Sequence, residues 1–164
     1  MKEKVSLDTI AKAITAMLFA IFLSIACSLM KDGMADKMPM RVAIFISVLF
    51  LLTIVFSWGF HPTAYEVDDD ALLIHRPFGA LKINKNKIVN IESIDAAQLR
   101  FGMRLFASGG FFGYFGLYTS KAIGRYYRYT GHSKNLLMIV IDKRKYVIGP
   151  DSETFAEAIL DLGR

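Results

Sequence analysis

The sequence predicts two transmembrane α-helices at the N-terminus, followed by a mainly-β domain that ends in an α-helix. Three observations support this fold class. Two long apolar runs without a charged residue lie within the first sixty positions. After them, apolar and polar residues alternate at the strand period of two, and the end of the chain returns to a helical period. A chain of 164 residues, 54% of them hydrophobic, suits a small domain with a membrane anchor.

The two apolar runs are long enough to cross a bilayer as helices. They cover residues 13–30 and 42–60, and neither contains Asp, Glu, Lys or Arg. A helix of 19 residues is about 28 Å long, close to the ~30 Å thickness of the hydrocarbon core. Both runs are apolar on every side, which suits lipid better than a one-sided core. We predict spans at about 10–30 and 41–60.

The flanks of the runs predict a helical hairpin. Trp58 and Phe60 end the second run, where aromatic side chains favour the membrane interface. His61 and Pro62 follow, and the proline ends the helix. Because the loop between the runs is short and polar, the two spans should be antiparallel neighbours. We predict that residues 1–61 form the anchor.

Two other interpretations of the apolar runs remain open. The first run could be a cleaved signal peptide with MKEK as its basic start, or a lipoprotein signal ending at Cys27. The lipoprotein motif usually has Leu where this chain has Ser24. A second apolar run also follows, which a signal peptide does not explain. The runs could alternatively form a buried core hairpin, but the remaining domain is too small to cover it.

From residue 63 the pattern predicts short antiparallel strands. Tyr65 and Val67 alternate with polar residues, and the acidic triplet at 68–70 is typical of a turn. Further predicted strands are ALLIHRP, LKIN, KIVNIESI, NLLMIVID and YVIGP. Asp151 or Ser152 can then cap an amphipathic helix with the sequence SETFAEAILDL. A terminal helix of this kind can cover the apolar face of a sheet.

This order of elements resembles the bacterial PH-like domain family, whose members often follow one or two transmembrane helices. The resemblance covers roughly residues 62–163 and rests on YEVDDDALLIHRPFG, KIVNIESI, FASGGFFGYFG and KYVIGPDSETFAEAI. It implies an antiparallel sandwich or barrel of about seven strands, capped by the C-terminal helix, over residues 62–164. Phosphoinositide-binding PH domains carry Lys or Arg in the loop between their first two strands. This chain has Asp68, Asp69 and Asp70 there, so that ligand is not expected.

The sequence predicts neither catalysis nor a cofactor. His61, His75 and His132 lack partners at metal-ligand spacing, so no metal site is predicted. The single cysteine, Cys27, lies in the first apolar run, where it cannot act as a nucleophile on a soluble substrate. Residues 61–164 hold 14 Lys and Arg against 11 Asp and Glu. A net charge of +3 is too small to favour nucleic acid as a partner.

The stretch FASGGFFGYFGLYTSKAIGRYYRYTG, residues 106–131, is rich in glycine and aromatic residues. Its aromatic side chains could fill the core, while the glycines permit bulges and tight turns. Alternatively, some of them form an exposed surface, since successive side chains on a strand alternate between faces. Such a surface would contact the bilayer or a partner. The candidate contact residues are Phe111, Phe112, Tyr114, Phe115, Arg100, Arg104, Arg125 and Arg128.

The predicted function is that of a non-catalytic, membrane-anchored PH-like interaction or scaffolding module acting at the membrane surface. Its partners would be the lipid bilayer, a protein or a second copy of the chain. Lys and Arg are nearly balanced between the two sides of the hairpin, so the positive-inside rule is close to a tie. The lack of disulfides and the basic domain favour the bacterial inner membrane with the domain in the cytoplasm. The alternatives are an accessory subunit of a membrane enzyme or transporter, and an exported, lipid-anchored β domain.

Overall fold

Two long helices form an antiparallel hairpin at the N-terminus. The computed structural model describes residues 1–99, 102–142 and 144–163. Helix α1 covers Thr9–Met34 and helix α2 covers Met40–Phe60. At 1.5 Å per residue they are about 39 and 31 Å long, so each is long and apolar enough to cross a bilayer.

The helices of the hairpin are fixed to each other at two levels. Near the loop, Gly33 packs closely against Met40 and Ala43. Near the middle, the rings of Phe22 and Phe50 stack with their centroids 5.0 Å apart. The predicted pair of N-terminal apolar helices is thus confirmed, and it fits a transmembrane hairpin.

A four-stranded antiparallel sheet combines strands from both sides of the hairpin in the sequence. Strands β2 (Ala64–Val67), β3 (Ala71–His75) and β4 (Leu81–Asn84) come after α2. The edge strand β1 (Lys2–Lys4) comes before α1 and pairs with β2. The sheet therefore has the order β1-β2-β3-β4, and the chain on both sides of the hairpin contributes to it.

A six-stranded sheet forms the rest of the domain, in the order β5-β9-β10-β8-β7-β6. Its strands are β5 (Ile88–Ile94), β6 (Met103–Gly110), β7 (Gly113–Ser120), β8 (Gly124–Thr130), β9 (Leu136–Ile141) and β10 (Arg144–Ile148). A 3-10 turn over Lys85–Lys87 precedes β5, and the short helix α3 (Ala96–Leu99) follows it. All pairs are antiparallel except β8 and β10, which run parallel. Nine of the ten strands in the described residues lie within 62–164, where the resemblance implied about seven.

The main core lies between the two sheets and is closed by helix α4 (Glu153–Leu162). Phe155 and Ile159 on one face of α4 are fully buried in it. Ser152 caps the helix, because its hydroxyl accepts the N–H of Phe155 at 3.3 Å. The predicted mainly-β domain with a C-terminal helix is confirmed.

The strand directions define which end of the domain faces the hairpin. Strand β2 leaves the end of α2, and the turn after β3 returns to it, where the N–H of Phe78 donates to the carbonyl of Gly59 at 2.9 Å. The turn at residues 68–70 and the 3-10 turn at residues 85–87 therefore lie at the opposite end. With strands of four to seven residues at about 3.3 Å each, this far end is roughly 15 Å or more from the hairpin.

Candidate interaction surface

The segment before α1 is attached to the domain by a network of hydrogen bonds. The hydroxyl of Ser6 donates to Asp151 at 2.6 Å, and its backbone N–H donates to the other carboxylate oxygen at 3.0 Å. The carboxylate of Glu3 accepts the backbone N–H groups of Asp151 and Ser152, at 3.2 and 2.9 Å. Glu3 thus places a negative charge at the N-terminus of α4, where unpaired N–H groups and the helix dipole favour one.

His132 contributes to the same network as a positioning group. The N–H of Lys134 donates to Nδ1 of His132, so Nε2 carries the ring proton in the neutral imidazole and donates to Asp151 at 2.8 Å. Burial alone would raise the pKa of Asp151, but hydrogen bonds from Ser6 and the nearby His132 outweigh it and lower that pKa. Since Ser6 donates to Asp151 and not to His132, the three residues do not form a nucleophile–base pair.

The turn between β6 and β7 lies against α1, and hydroxyl groups bind its backbone. The hydroxyl of Thr15 accepts the N–H of Phe112 at 2.9 Å and lies 3.2 Å from the carbonyl oxygen of Gly110. The hydroxyl of Ser108 lies within hydrogen-bonding distance of the carbonyls of Phe111 and Gly113, at 2.7 and 3.2 Å. These contacts hold the backbone of the turn against α1 and β6.

The two aromatic residues of the turn contact both helices of the hairpin. Phe111 is only 7% exposed, and its ring meets that of Phe22 edge-on at 6.0 Å. Phe112 packs against the ring of His61 at the end of α2. Its φ of 58° is unusual for a bulky residue, so the surrounding contacts hold it in a strained conformation.

Glycine is required on either side of these aromatic residues. Gly110 and Gly113 both have positive φ, at 124° and 106°. A Cβ at Gly110 would lie 2.7 Å from the side chain of Ile14 in α1. The glycines therefore allow both the turn geometry and the close approach to the helix.

The remaining candidates lie on strands β6 to β8 with different exposure. Phe115 is buried, Tyr114 is half-buried, and Arg104 and Arg125 are exposed. Arg100 lies outside the described residues. Arg128 is only 8% exposed. All eight residues remain predictions as partner or membrane contacts.

Arg128 is held in the interior by neutral groups. It donates to the hydroxyls of Thr130 and Ser133, at 2.8 and 2.7 Å, and to the carbonyl of His132 at 3.1 Å. Its guanidinium lies over the ring of Tyr114, 4.5 Å from the centroid. Burial lowers the pKa of Arg128 without neutralising it. This geometry ties the C-terminal end of β8 to the following turn.

An exposed apolar stretch lies on β6, the terminal strand of the six-stranded sheet. Met103, Leu105 and Phe106 are all exposed, and Phe106 is 88% exposed. Among the described residues, the outer edge of β6 has no strand neighbour. We did not predict Met103, Leu105 or Phe106 as contact residues, although Phe106 begins the stretch that is rich in glycine and aromatic residues. Their apolar character was visible in the sequence, but the edge position depends on the strand order.

A basic groove opens at the end of the domain away from the hairpin. Lys82, Lys87 and Arg144 lie along it, together with the apolar side chains of Leu81 and Val89. Because of its position, this groove does not face the membrane that the hairpin would span. Within the described residues, no three His, Cys, Asp or Glu side chains lie together as a metal site would require.

The chain is similar to a known protein family. A family model described as the bacterial PH domain matches residues 63–162, which is more than half of the chain. No curated protein and no solved structure matches the chain significantly.

Proposed function

Because the chain belongs to the bacterial PH domain family, we propose that it is a membrane-anchored interaction module without catalytic activity. The hairpin of α1 and α2 anchors it in the bacterial inner membrane. The domain lies in the cytoplasm and presents one sheet edge to a protein partner. Its work is to hold that partner at the membrane surface.

The exposed apolar edge of β6 is the observation that carries this proposal. A terminal strand offers a row of unpaired N–H and C=O groups to another chain, and proteins usually protect such edges. Here the pairing of β6 is interrupted at Leu105, and Leu105 and Phe106 are exposed on the strand. Exposed apolar groups beside a free strand edge favour a partner that adds a strand and covers the side chains.

The attachment of the domain to the hairpin supports a role at the membrane. Strand β1 precedes α1 and β2 follows α2, and the two strands pair with each other. The β6–β7 turn adds contacts with α1. A domain fixed in this way keeps β6 beside the anchor, so the partner binds close to the bilayer.

Of the two alternative functions, one would use the β6 edge and the other is disfavoured by the contacts of Glu3. An accessory subunit of a membrane enzyme or transporter would use the same edge, and identification of the partner would distinguish that role. Cleavage and lipidation at Cys27 would remove the residues before it, including β1 and Glu3. The contacts of Glu3 with Asp151 and Ser152 therefore disfavour an exported, lipid-anchored domain.

The test is a tagged purification of the full chain in mild detergent after crosslinking in cells, with mass spectrometry of the products. The double variant Leu105→Ser, Phe106→Ser is compared with wild type. Val89→Ser is the matched control, since Val89 is 69% exposed on β5, the opposite edge strand. Circular dichroism verifies that each variant is folded.

We expect one specific crosslinked protein, or a defined homo-oligomer, with wild type and with Val89→Ser. The double variant should lose it, because polar side chains remove the apolar contact area while the backbone edge remains. Equal crosslinking of the double variant and the control would show that the β6 edge is not the partner surface.

A further inference from the structure

We propose that the β6–β7 turn, Gly110–Gly113, enters the hydrocarbon layer beside α1 as a re-entrant element. The inference rests on the proposed membrane anchoring and gives the domain a second insertion point in the bilayer. The half-buried Phe112 is the turn's apolar contact with lipid, and hydroxyl groups of Thr15 in α1 and Ser108 in β6 bind the backbone of the turn.

The depth of the turn follows from its contacts along α1. Lys12 is the last charged residue before the first apolar run. Thr15, which binds the turn, lies beyond it. Phe22, which contacts the Phe111 ring, lies about ten positions beyond Lys12, or about 15 Å along the helix. Thr15 lies only about 5 Å along α1 beyond Lys12, and Phe112 packs against His61 at the end of α2. The backbone of the turn therefore lies just inside the interface, and the Phe111 ring extends deeper.

In the hydrocarbon layer, the backbone groups of the turn need hydrogen-bond partners from the protein, and two hydroxyl groups provide such partners. Irregular backbone is tolerated at membrane depth only where protein groups satisfy its N–H and C=O groups, because no water is available. The hydroxyl of Thr15 accepts the N–H of Phe112, and its one proton is shared between the carbonyls of Ala11 and Gly110. The one proton of the Ser108 hydroxyl is nearer to the carbonyl of Phe111 than to that of Gly113.

The charge distribution around the turn agrees with this placement. Residues 109–113, GGFFG, contain no charged side chain. The first cation back along β6 is Arg104, whose guanidinium lies close to Gly109. A long cationic side chain at this level can reach the lipid phosphates while the apolar turn lies deeper.

Tryptophan fluorescence in phosphatidylcholine–phosphatidylglycerol vesicles tests the proposal, with bromine atoms at shallow or deep acyl-chain positions as quenchers. The background variant Trp58→Phe removes the only native tryptophan. Into it are placed Phe111→Trp in the turn, Phe106→Trp on the same strand, and Phe50→Trp in the middle of α2. Circular dichroism verifies the fold of each.

We expect Phe111→Trp to be quenched by the shallow acyl-chain bromines, and Phe50→Trp to be quenched more strongly by the deep ones. Phe106→Trp should be quenched by neither. If Phe50→Trp is quenched by deep bromines and Phe111→Trp behaves like Phe106→Trp, the re-entrant turn is wrong while the anchor stands. If Phe50→Trp is not quenched either, the proposed anchoring fails as well.

Lipid photolabelling of the unmodified chain is a second test, which does not depend on whether Phe111→Trp folds. A diazirine on the acyl chain should label Phe112, the half-buried residue of the turn, and leave Met103 and Phe106 unlabelled. Labelling of the hairpin helices without any label on the turn would overturn the proposal.

Discussion

The hydroxyl of Thr15 is the most informative single group in the molecule. It belongs to an apolar helix, yet it connects that helix to a turn almost a hundred residues away. Its proton is within reach of the Ala11 carbonyl as well, at 2.7 Å. A hydroxyl group adds nothing to the contact of a transmembrane helix with lipid. The contacts of Thr15 with the turn therefore explain why a polar residue stands at this position.

Replacement of Thr15 by valine should destabilise the docked turn. The two side chains have nearly the same shape, but valine leaves the N–H of Phe112 without its acceptor in an apolar environment. We expect a loss of about 1–3 kcal/mol, measured as a lower unfolding temperature in detergent. Hydrogen exchange at Phe112 should also accelerate.

Thr15→Ser is the control for that prediction, because it keeps the hydroxyl and removes only a methyl group. It should retain most of the exchange protection at Phe112. Equal protection in the valine and serine variants would contradict the role assigned to the hydroxyl.

Buried tyrosines should make the fold sensitive to alkali. Burial raises the pKa of Tyr118 to about 12, and its hydroxyl donates to the carbonyl of Ser108. The unfolded chain ionises its tyrosines near pH 10. The stability contributed by the neutral phenol is therefore complete below about pH 10 and is lost as the pH rises through about 12. Burial raises the pKa in the same direction for Tyr65, Tyr114, Tyr126 and Tyr129.

An alkaline titration checks this prediction through phenolate absorbance and circular dichroism together. Loss of secondary structure should accompany the ionisation of the late-titrating tyrosines. Ionisation of all seven tyrosines near pH 10 in a folded chain would contradict it.

At the scale of the elements, β1 and the residues after it form a strap across the domain. The strap adds a strand to one sheet and meets the N-terminus of α4 through Glu3. Asp151 holds it from the other side through Ser6. The lowered pKa of Asp151 means that this contribution is present above its ordinary value of 3.8 and is lost as the pH falls through the lower, folded-state value.

Asp151→Asn should loosen the strap without unfolding the core. The amide keeps the size of the side chain but loses the charge-assisted bonds from Ser6 and His132. We expect a cost of about 1–2 kcal/mol, at the low end for charged bonds because the carboxylate is partly exposed. Hydrogen exchange should rise in residues 2–8. Glu157→Gln is the control, because Glu157 is exposed on α4, and it should leave the exchange in residues 2–8 unchanged. A rise of equal size in this control variant would show that the effect of Asp151→Asn is nonspecific.

At the scale of the whole molecule, the pairing of β1 with β2 requires both ends of the hairpin to be on one side. Together with the proposed orientation, this places the domain in the cytoplasm and the loop between α1 and α2 outside. While β1 and β2 are paired, the N-terminus and the domain cannot lie on opposite sides of the membrane.

Cysteine labelling in intact spheroplasts tests the orientation. In a Cys27→Ser background, Lys37→Cys in the loop should react with a membrane-impermeant maleimide. Ala122→Cys, exposed in the turn between β7 and β8, should react only after lysis. The reverse pattern would place the domain outside, and labelling of both positions in intact cells would exclude the hairpin.

The sequence by itself determined the local elements and the family. Uncharged runs of 18 and 19 residues were sufficient for two apolar helices, and apolar patterns predicted β2 to β5, β9 and β10, but not β1, β6 or β7. Ser152 was identified as one of two possible caps of α4, and the structure assigns the cap to it. These features depend on neighbours a few positions away, which is why patterns reveal them.

Only the tertiary structure decided which of the candidate residues are buried and where the free edge lies. Phe111 and Phe106 belong to the same aromatic stretch, yet one packs against α1 and the other is exposed. The difference depends on the strand order and on the contact between Thr15 and the turn. Such pairings join residues far apart in the chain, and no local period encodes them, because many partners could satisfy the same backbone groups.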